Sequence, residues 1–433
     1  MQLQRQLGVF GATMMGLGSI LGTGVFVSIG IAAGISGPAV ILAIAIGAVV
    51  ATCNGLNSAQ LAANHPVSGG TYEYGYRYLN APLGFTAGWM FLLAKSASAA
   101  TAALGFSGYF IDALNIDSSL RIPLALAAVI LLTLIVLGGI RRSNSANIVI
   151  VSITLFTLGF FVIFGLITAL QNPATHFEPF FISTDQPLDV IQSILHASAL
   201  MFVAYTGYGR IATMGEEVHD PRRVIPRAII TALVFTMILY ISVAIVGVAV
   251  IGADGLSAAT DANAAPLEVT AQRFSLGISP QIISIGAVTA MLGVLLNLIL
   301  GLSRVLLAMG RRRDMPAAVA RIDASGSTPY VAVIVMGTFI AALVLIGDVR
   351  TTWTFSAFNV LIYYAITNLA ALRLKPEERL FPAWVAVLGL AFCLFLAFWV
   401  ERDIWLLGLV LIAGGLVWHF IAQRMTRRTV EGA

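Results

Sequence analysis

The sequence predicts an all-α, polytopic membrane protein with twelve transmembrane helices, and two observations carry this prediction. Hydrophobic residues make up 59% of the 433 residues, charged residues only 10%, and the mean hydropathy is +0.93, whereas soluble chains carry about 25% charged residues. The apolar runs are continuous and about 20 residues long, as a transmembrane helix requires, and they lack the alternation of a membrane β-barrel. This composition excludes a soluble globular enzyme, a disordered chain and a nucleic-acid-binding module.

Twelve apolar segments follow one another along the chain, with no room for a soluble domain between them. The longest gap, 252–278, is acidic and rich in Ala. Cys53 and Cys393 both lie inside apolar segments, so neither a disulfide framework nor a metal-binding spacing is indicated. We therefore expect one membrane domain over residues 1–433, without a cofactor and without a nucleic-acid partner. The segments are 8–32, 38–62, 82–111, 122–140, 147–170, 188–215, 227–251, 279–308, 329–347, 352–372, 382–400 and 404–422.

The positive charges predict an orientation. If the N-terminus is cytoplasmic, nineteen of the 24 Lys and Arg residues fall on the cytoplasmic side and four fall outside. The remaining one, Lys95, lies inside the third segment. This positive-inside bias predicts that both termini are cytoplasmic, and we expect the protein in the cell (inner) membrane.

Two segments carry several glycines in their middle, where they weaken a transmembrane helix. The first holds four glycines between positions 16 and 24, and the sixth holds Gly207 and Gly209. Each interior Gly costs a helix about 1 kcal/mol relative to Ala. Two such breaks, one opening each half of the chain, are typical of transporters built from inverted repeats. N–H groups freed at a half-helix start can bind a carboxylate, and freed carbonyls an ammonium, so the pattern favours a site for a zwitterionic amino acid.

The glycine string of the first segment has a simpler interpretation when taken alone. Gly18 and Gly22 form a GxxxG pair, which usually means close helix packing. A dinucleotide fingerprint is not indicated, because no βαβ unit surrounds it. The paired placement in the first and sixth segments favours the binding site over packing alone.

Several motifs resemble those of one transporter family. The run Gly16–Phe26 (GLGSILGTGVF) resembles the first-helix motif of the amino acid–polyamine–organocation (APC) superfamily of permeases. The run 202–226, with FVAYTGY followed by GEEVHDP and IP, resembles its sixth helix and the following loop, closest to the cationic-amino-acid-transporter-like branch. The runs 303–316 and 66–72 are similar to the end of its eighth helix and to the loop after its second. The resemblance covers about residues 8–375.

This resemblance implies both a fold and a function. The fold would be leucine-transporter-like, with inverted five-helix repeats over 8–170 and 188–375 and two further helices over 382–424. The function would be secondary active amino acid transport by alternating access, driven by a proton gradient or by exchange, and not enzymatic. In the family, first-helix amides take the substrate carboxylate and sixth-helix carbonyls its amine. The implied substrate site comprises Ser19, Ile20, Gly22, Thr23, Gly24, Phe202, Ala204, Tyr205 and Gly207.

Other classes of cargo and function stay open at this point. Amines, polyamines or other small organic solutes are alternative cargo. A channel or sensor would need a continuous polar pore lining, and these segments offer few such residues. A membrane-embedded enzyme would need clustered catalytic side chains, of which there is little sign.

The coupling residue departs from the family pattern. Proton-coupled relatives often carry a Lys in the fifth helix, and an ungapped alignment places Thr154 there. Thr cannot carry a proton or replace a cation, so proton, sodium and exchange coupling all stay open. Lys95 is an ionisable residue near the middle of a segment, which indicates function by default. It is expected to be the coupling residue, a counter-charge for an anionic substrate, or a structural Lys bonded to an interrupted helix.

Charged residues follow the sixth segment. Glu216 and Glu217 end it, and Arg222 comes shortly after. One interpretation is a cytoplasmic gate whose ion pairs break when the transporter opens inward. The other is an interfacial ion-pair cluster with little net energy.

Overall fold

The computed structural model describes residues 7–66, 69–139, 144–171, 176–182, 184, 186–212, 218–323 and 328–431. Within these ranges the chain is helical and forms no β-strand, apart from an isolated bridge between Leu7 and Val218. The α-helices of these ranges are α1 (Val9–Ile20), α2 (Thr23–Phe26), α3 (Ser28–Ser36), α4 (Val40–Asn64), α5 (Thr71–Tyr78), α6 (Ala81–Leu114), α7 (Arg121–Leu137), α8 (Asn144–Gln171), α9 (Pro187–Tyr205), α10 (Gly209–Ala212), α11 (Pro221–Asn263), α12 (Pro266–Ala271), α13 (Ser279–Arg311), α14 (Tyr330–Val344), α15 (Val349–Leu372), α16 (Ala383–Ala397) and α17 (Arg402–Glu431).

Each of the twelve predicted apolar segments falls on one or more of these helices. By length and composition, nine helical stretches among the described residues could cross a membrane, and α1, α14 and α16 are shorter apolar helices. The prediction of an all-helical protein with many apolar helices is therefore confirmed. The count of twelve spans and the inverted repeat stay predictions.

The predicted gap 252–278 is largely helical. α11 continues to Asn263 across a bend at Gly252, whose backbone (φ 75°, ψ 168°) is not helical, and α12 follows at once. The Ala-rich sequence favours helix, while its acidic residues keep its hydropathy low. α5 also lies outside the predicted segments, because its alternating tyrosines and charges make it amphipathic rather than apolar.

α6 is the central helix of the bundle. Of its most apolar stretch, 89% is buried inside the protein, against 17% for α17. It packs most extensively against α13 and α15, while α4 packs against α9 and α11. Small residues let neighbouring backbones approach closely; at Gly108, an added Cβ would lie 1.6 Å from the carbonyl oxygen of Asn263. Only glycine allows the end of α11 to rest on α6 in this way.

An amide ladder joins α4 to α15 and α16. Asn57 Nδ2 donates to Asn368 Oδ1 at 2.8 Å, and Asn368 Nδ2 donates to Asn54 Oδ1 at 2.5 Å. Gln60 Nε2 donates to Asn57 Oδ1 at 2.9 Å, and Gln60 Oε1 accepts from two backbone N–H groups just before α16. Each buried amide thus uses its neighbours as partners, which removes the desolvation cost of burying it.

The bundle has two faces. We call the one where α6 begins and α13 ends the near face, and the opposite one, where α12 lies, the α12 face. At the α12 face, Tyr109 on α6 donates to the carbonyl of Phe26 at 2.7 Å and accepts from the N–H of Leu267 at 3.3 Å. Arg350 Nη2 pairs with Asp261 Oδ1 at 3.0 Å. These bonds hold the end of α11 and all of α12 against α2, α6 and α15.

A buried carboxylate lies within this closed face. Glu268 on α12 is 3% exposed, and its Oε2 accepts from Ser284 Oγ at 2.6 Å. Burial raises the pKa of Glu268 to about 7; the hydrogen bond from Ser284 opposes this rise, and the negative charge of Asp112 adds to it. Because an unfolded chain has a Glu pKa of about 4.3, folding favours the protonated form. The contribution of Glu268 to the free energy of unfolding should therefore fall as the pH rises between these two values and level off above the higher one.

Glu268→Gln should remove this pH dependence. Gln keeps an acceptor for Ser284 and cannot ionise, so the variant should melt at a higher temperature than the wild type at pH 8 and at nearly the same temperature at pH 4.5. The shift in pKa corresponds to about 4 kcal/mol at most. Thermal unfolding in detergent at both pH values measures the difference, with the exposed Glu401→Gln variant as the control. If the difference in melting temperature between Glu268→Gln and the wild type does not grow with pH, the burial of Glu268 as an ionisable group is contradicted.

Candidate functional site

The first interrupted helix breaks at two residues. α1 ends at Ile20, Leu21 has extended backbone (φ −76°, ψ 99°), Gly22 is not helical, and α2 begins at Thr23. The first N–H groups of a helix have no partner within it, so the start of α2 offers donors. The interruption lies where the glycine pattern predicts it.

The second interruption is milder. α9 ends at Tyr205, Thr206–Tyr208 form a 3₁₀ turn, and α10 begins at Gly209. Such a turn replaces i→i−4 hydrogen bonds by i→i−3 bonds. The sixth helix is therefore tightened at its glycines rather than unwound.

Tyrosine hydroxyls bond the carbonyls at the interruptions. Tyr240 Oη on α11 lies 2.9 Å from the carbonyl oxygen of Ile20 and 3.3 Å from that of Ala204, so it bridges the two interrupted helices. Tyr364 Oη on α15 donates to the carbonyl of Thr206 at 3.3 Å. These tyrosines were not among the predicted site residues. In the sequence, each of these tyrosines is visible as a hydroxyl within an apolar span. The sequence does not show which carbonyl each hydroxyl bonds.

The two interruptions touch each other directly. At Gly207, an added Cβ would lie 2.3 Å from the carbonyl oxygen of Ser19. At Gly24, it would lie 2.7 Å from the Cβ of Ala204. These glycines therefore serve close packing as well as interruption, while the binding of cargo beside them stays a prediction.

A cavity of about 990 Å³ leads from the near face to the interruptions. Ser19, Lys95 and Gly207 line the inner end of the cavity. Glu73 and Arg311 line its outer end, at the near face. Ligand sites in proteins are typically about 300–1,000 Å³, so it is large enough for a small organic cargo. Its inner end is where α1, α6 and the 3₁₀ turn meet.

The predicted substrate residues lie in two groups. Ser19 and Gly207 line the cavity. The other seven lie beyond its inner end, packed against neighbouring helices, and Thr23 Oγ1 is buried without a hydrogen-bond partner within the described ranges. These seven are Ile20, Gly22, Thr23, Gly24, Phe202, Ala204 and Tyr205.

Lys95 lies on α6 beside the second interruption. Its side chain is buried, and Nζ donates to Thr206 Oγ1 at 2.8 Å. Thr206 Oγ1 in turn donates to the carbonyl of Val203 at 2.7 Å. The structure thus brings Lys95 to the interrupted sixth helix and to the cavity, through a hydroxyl and not through the carbonyls that the structural alternative expects.

Thr154 lies elsewhere. It is buried on α8, donates to the carbonyl of Ile150 in its own helix at 2.9 Å, and does not line the cavity. Within the described ranges, no group of three or more His, Cys, Asp or Glu side chains could hold a metal ion. Of the two predicted coupling positions, only Lys95 meets the cavity.

The predicted gate residues are only partly visible. Glu216 and Glu217 lie outside the described residues. Arg222 is exposed at the start of α11, and its Nη2 donates to the carbonyl of Glu377 at 3.2 Å.

A polar cluster at the near face was not predicted. Asp314, just after α13, is 3% exposed and accepts from Tyr72 Oη at 2.7 Å and Tyr76 Oη at 2.6 Å, both on α5. His419 Nδ1 on α17 lies 3.1 Å from its other carboxylate oxygen. The cluster joins α5, α13 and α17 beside the mouth of the cavity. Asp314 and Tyr72 lie in motifs that carry the family resemblance, but the spacing does not indicate that they meet.

Comparisons with known proteins agree on the class of protein. A family model described as amino acid permease matches residues 11–427. An uncharacterised transporter of Mycobacterium tuberculosis is 37% identical, over 99% of this chain and 93% of that protein. The branched-chain amino acid permease BcaP of Bacillus subtilis is 28% identical, over 98% and 94%. The chloroplastic cationic amino acid transporter 7 of Arabidopsis thaliana is 25% identical, over 86% and 66%.

The fold is also found among solved structures. The crystal structure of a mutant of the Eremococcus coleocola manganese transporter matches with a TM-score of 0.64 and 12% identity, over 96% of this chain and 94% of that one. At this identity the match concerns the arrangement of helices and not the cargo.

Gly207→Ala should disrupt the site. The added Cβ would overlap the backbone of Ser19, and overpacking of this kind costs about 1–3 kcal/mol. We expect a lower melting temperature in detergent and a loss of transport in liposomes. Gly159→Ala is the matched control, because nothing lies within 4 Å of a Cβ at that position. Equal behaviour of the two variants would mean that the interruptions do not need this contact.

Proposed function

Because the chain belongs to the amino acid permease family, we propose that it is a secondary active amino acid transporter that works by alternating access. Family membership makes it a multi-pass membrane transporter of small molecules and not an enzyme. It also confirms the resemblance to the APC superfamily, and the relatives include cationic amino acid transporters.

The cavity is the observation that carries this proposal. It runs from the near face to Ser19 of the first interrupted helix and Gly207 of the second. On the opposite side, the bonds of Tyr109 and Arg350 hold the α12 face closed. A path that leads from one face of the bundle to two interrupted helices, with the opposite face held closed, fits one of the two states that alternating access requires.

We assign the near face to the cytoplasm. Arg304, Arg311 and Arg312 lie at this face, and positive residues collect on the cytoplasmic side of membrane proteins. The described state is then inward-open, with both termini cytoplasmic, in the cell (inner) membrane. The proposed architecture is leucine-transporter-like with twelve spans, formed by repeats over 8–170 and 188–375 and two further helices over 382–424.

The cargo would be held at the interruptions themselves. N–H groups of Gly22–Gly24 at the start of α2 would take its carboxylate, by the attraction of a helix N-terminus for anions. Carbonyls near Ala204, now bonded by Tyr240, would take its amine. Phe202 and Tyr205 would cover it. Because these residues lie just beyond the cavity, a small separation of the interrupted helices must accompany binding.

Lys95 is our candidate for the coupling residue, in place of Thr154. It is the ionisable side chain of α6 that meets both the cavity and the second interruption. A proton bound to Lys95 would change the strength of the contact between α6 and the interrupted sixth helix. Glu216, Glu217 and Arg222 remain the proposed cytoplasmic gate.

Counterflow tests the proposal. Liposomes that contain the protein and an unlabelled amino acid mixture should take up labelled amino acids faster than empty ones, because a carrier exchanges cargo and a channel does not. A pool of amines and polyamines tests the alternative cargo. The Gly159→Ala variant should exchange like the wild type. Equal uptake into loaded and empty liposomes would exclude a carrier for either pool.

Lys95→Met tests the coupling role. The variant keeps the apolar stem and loses the ammonium, so accumulation driven by a pH gradient should fall to the level measured without a gradient. Lys375→Met is the matched control, since Lys375 is the other lysine of the chain and is exposed. Unchanged accumulation in Lys95→Met would exclude Lys95 as the coupling residue.

A further inference from the structure

Lys95 has hydrogen-bonding capacity that the described part of the chain does not use. An ammonium carries three donors, and within the described ranges Nζ has one partner, the hydroxyl of Thr206. Lys95 takes part in none of the ion pairs of the described residues. Among the residues that the structure describes, one neutral oxygen therefore solvates its charge.

A charge buried in this way needs a counter-charge. Burying an unpaired ion is costly, and buried charges in proteins are paired or bound to a ligand. The bilayer core offers no water that could replace a partner. Since Lys95 lines the cavity, a ligand in the cavity can supply the missing negative charge.

The walls of the cavity reinforce the positive charge. Besides Lys95, the lining includes four guanidinium groups and, among the described residues, one carboxylate. That carboxylate, Glu73, already pairs with Arg312. A cleft lined by one sign of charge raises the local concentration of the opposite ion. Cationic cargo, as in the cationic amino acid transporters, would meet repulsion here. The guanidinium groups belong to Arg210, Arg304, Arg311 and Arg312.

Charge balance then separates the classes of amino acid. A zwitterion has no net charge, so a neutral amino acid bound at the interruptions leaves the ammonium of Lys95 unbalanced. An amino acid with a second carboxylate neutralises it. We propose that the cargo is an acidic amino acid whose side-chain carboxylate binds Lys95 beside Thr206. This inference rests on the proposed function and names its substrate class.

The proposal makes Lys95 a specificity-determining residue as well as a coupling residue. A protonated Lys95 binds the anion and a neutral amine does not, so cargo and proton occupy the site together.

Matched ligands and variants test it on the purified, full-length protein. Binding of L-glutamate, L-aspartate, L-glutamine and L-asparagine is measured by calorimetry and thermal shift. On the wild type, each acidic ligand should bind about 10- to 100-fold more tightly than its amide, as expected for a hydrogen bond to a charged group. Lys95→Met should lose this preference, Lys95→Arg should keep much of it, and Lys375→Met should behave like the wild type.

The outcomes separate this proposal from the function on which it rests. If the amides bind the wild type as tightly as the acids, or if Lys95→Met keeps the preference, the acidic-substrate proposal is overturned while amino acid transport stands. If no amino acid of any charge binds or exchanges, the proposed function itself fails. If Lys95→Met does not fold, the wild-type preference and the Lys95→Arg variant still decide.

Discussion

Main-chain groups that are freed inside a membrane must find partners, and this constraint organises the centre of the protein. Each unsatisfied group costs several kcal/mol in lipid. Tyr240 and Tyr364 supply hydroxyls to carbonyls at the two interruptions, and Tyr109 does the same for Phe26 at the end of α2. Three surrounding helices are thereby tied to the interrupted ones. Any movement of the interrupted helices must exchange these bonds for others, with cargo or with neighbours.

Much of the fold could be predicted from the sequence, because apolar length and interior glycine are local signals. The helices and the interruption after Ile20 follow from them directly. The partners could not be predicted, because they depend on tertiary contacts between distant residues: Tyr240 meets Ile20 across 220 positions, and Lys95 meets Thr206 across 111. Hydropathy also hides helices that are amphipathic or acidic, as α5 and α12 are.

The candidate site shows the same division. Lys95 is conspicuous in the sequence because a charge within an apolar run is rare. Its role depends on what surrounds it, and the structure places it beside Thr206 and the cavity. Its role in coupling stays a proposal. The opposite case is Asp314, an ordinary residue after a helix end in the sequence, which gathers two tyrosines and a histidine in the structure. A residue's chemistry is local, whereas its partners are set by packing.

The amide ladder between α4, α15 and α16 limits how the molecule can divide during its cycle. Separating α4 from α15 would break the bonds of Asn54 and Asn57 to Asn368 at once and leave three buried amides without these partners. The dividing surface between moving parts must therefore run elsewhere, and these helices travel as one body. Spectroscopic labels on α4 and α15 would keep a constant separation in every conformation and so provide an internal ruler for distances that do change.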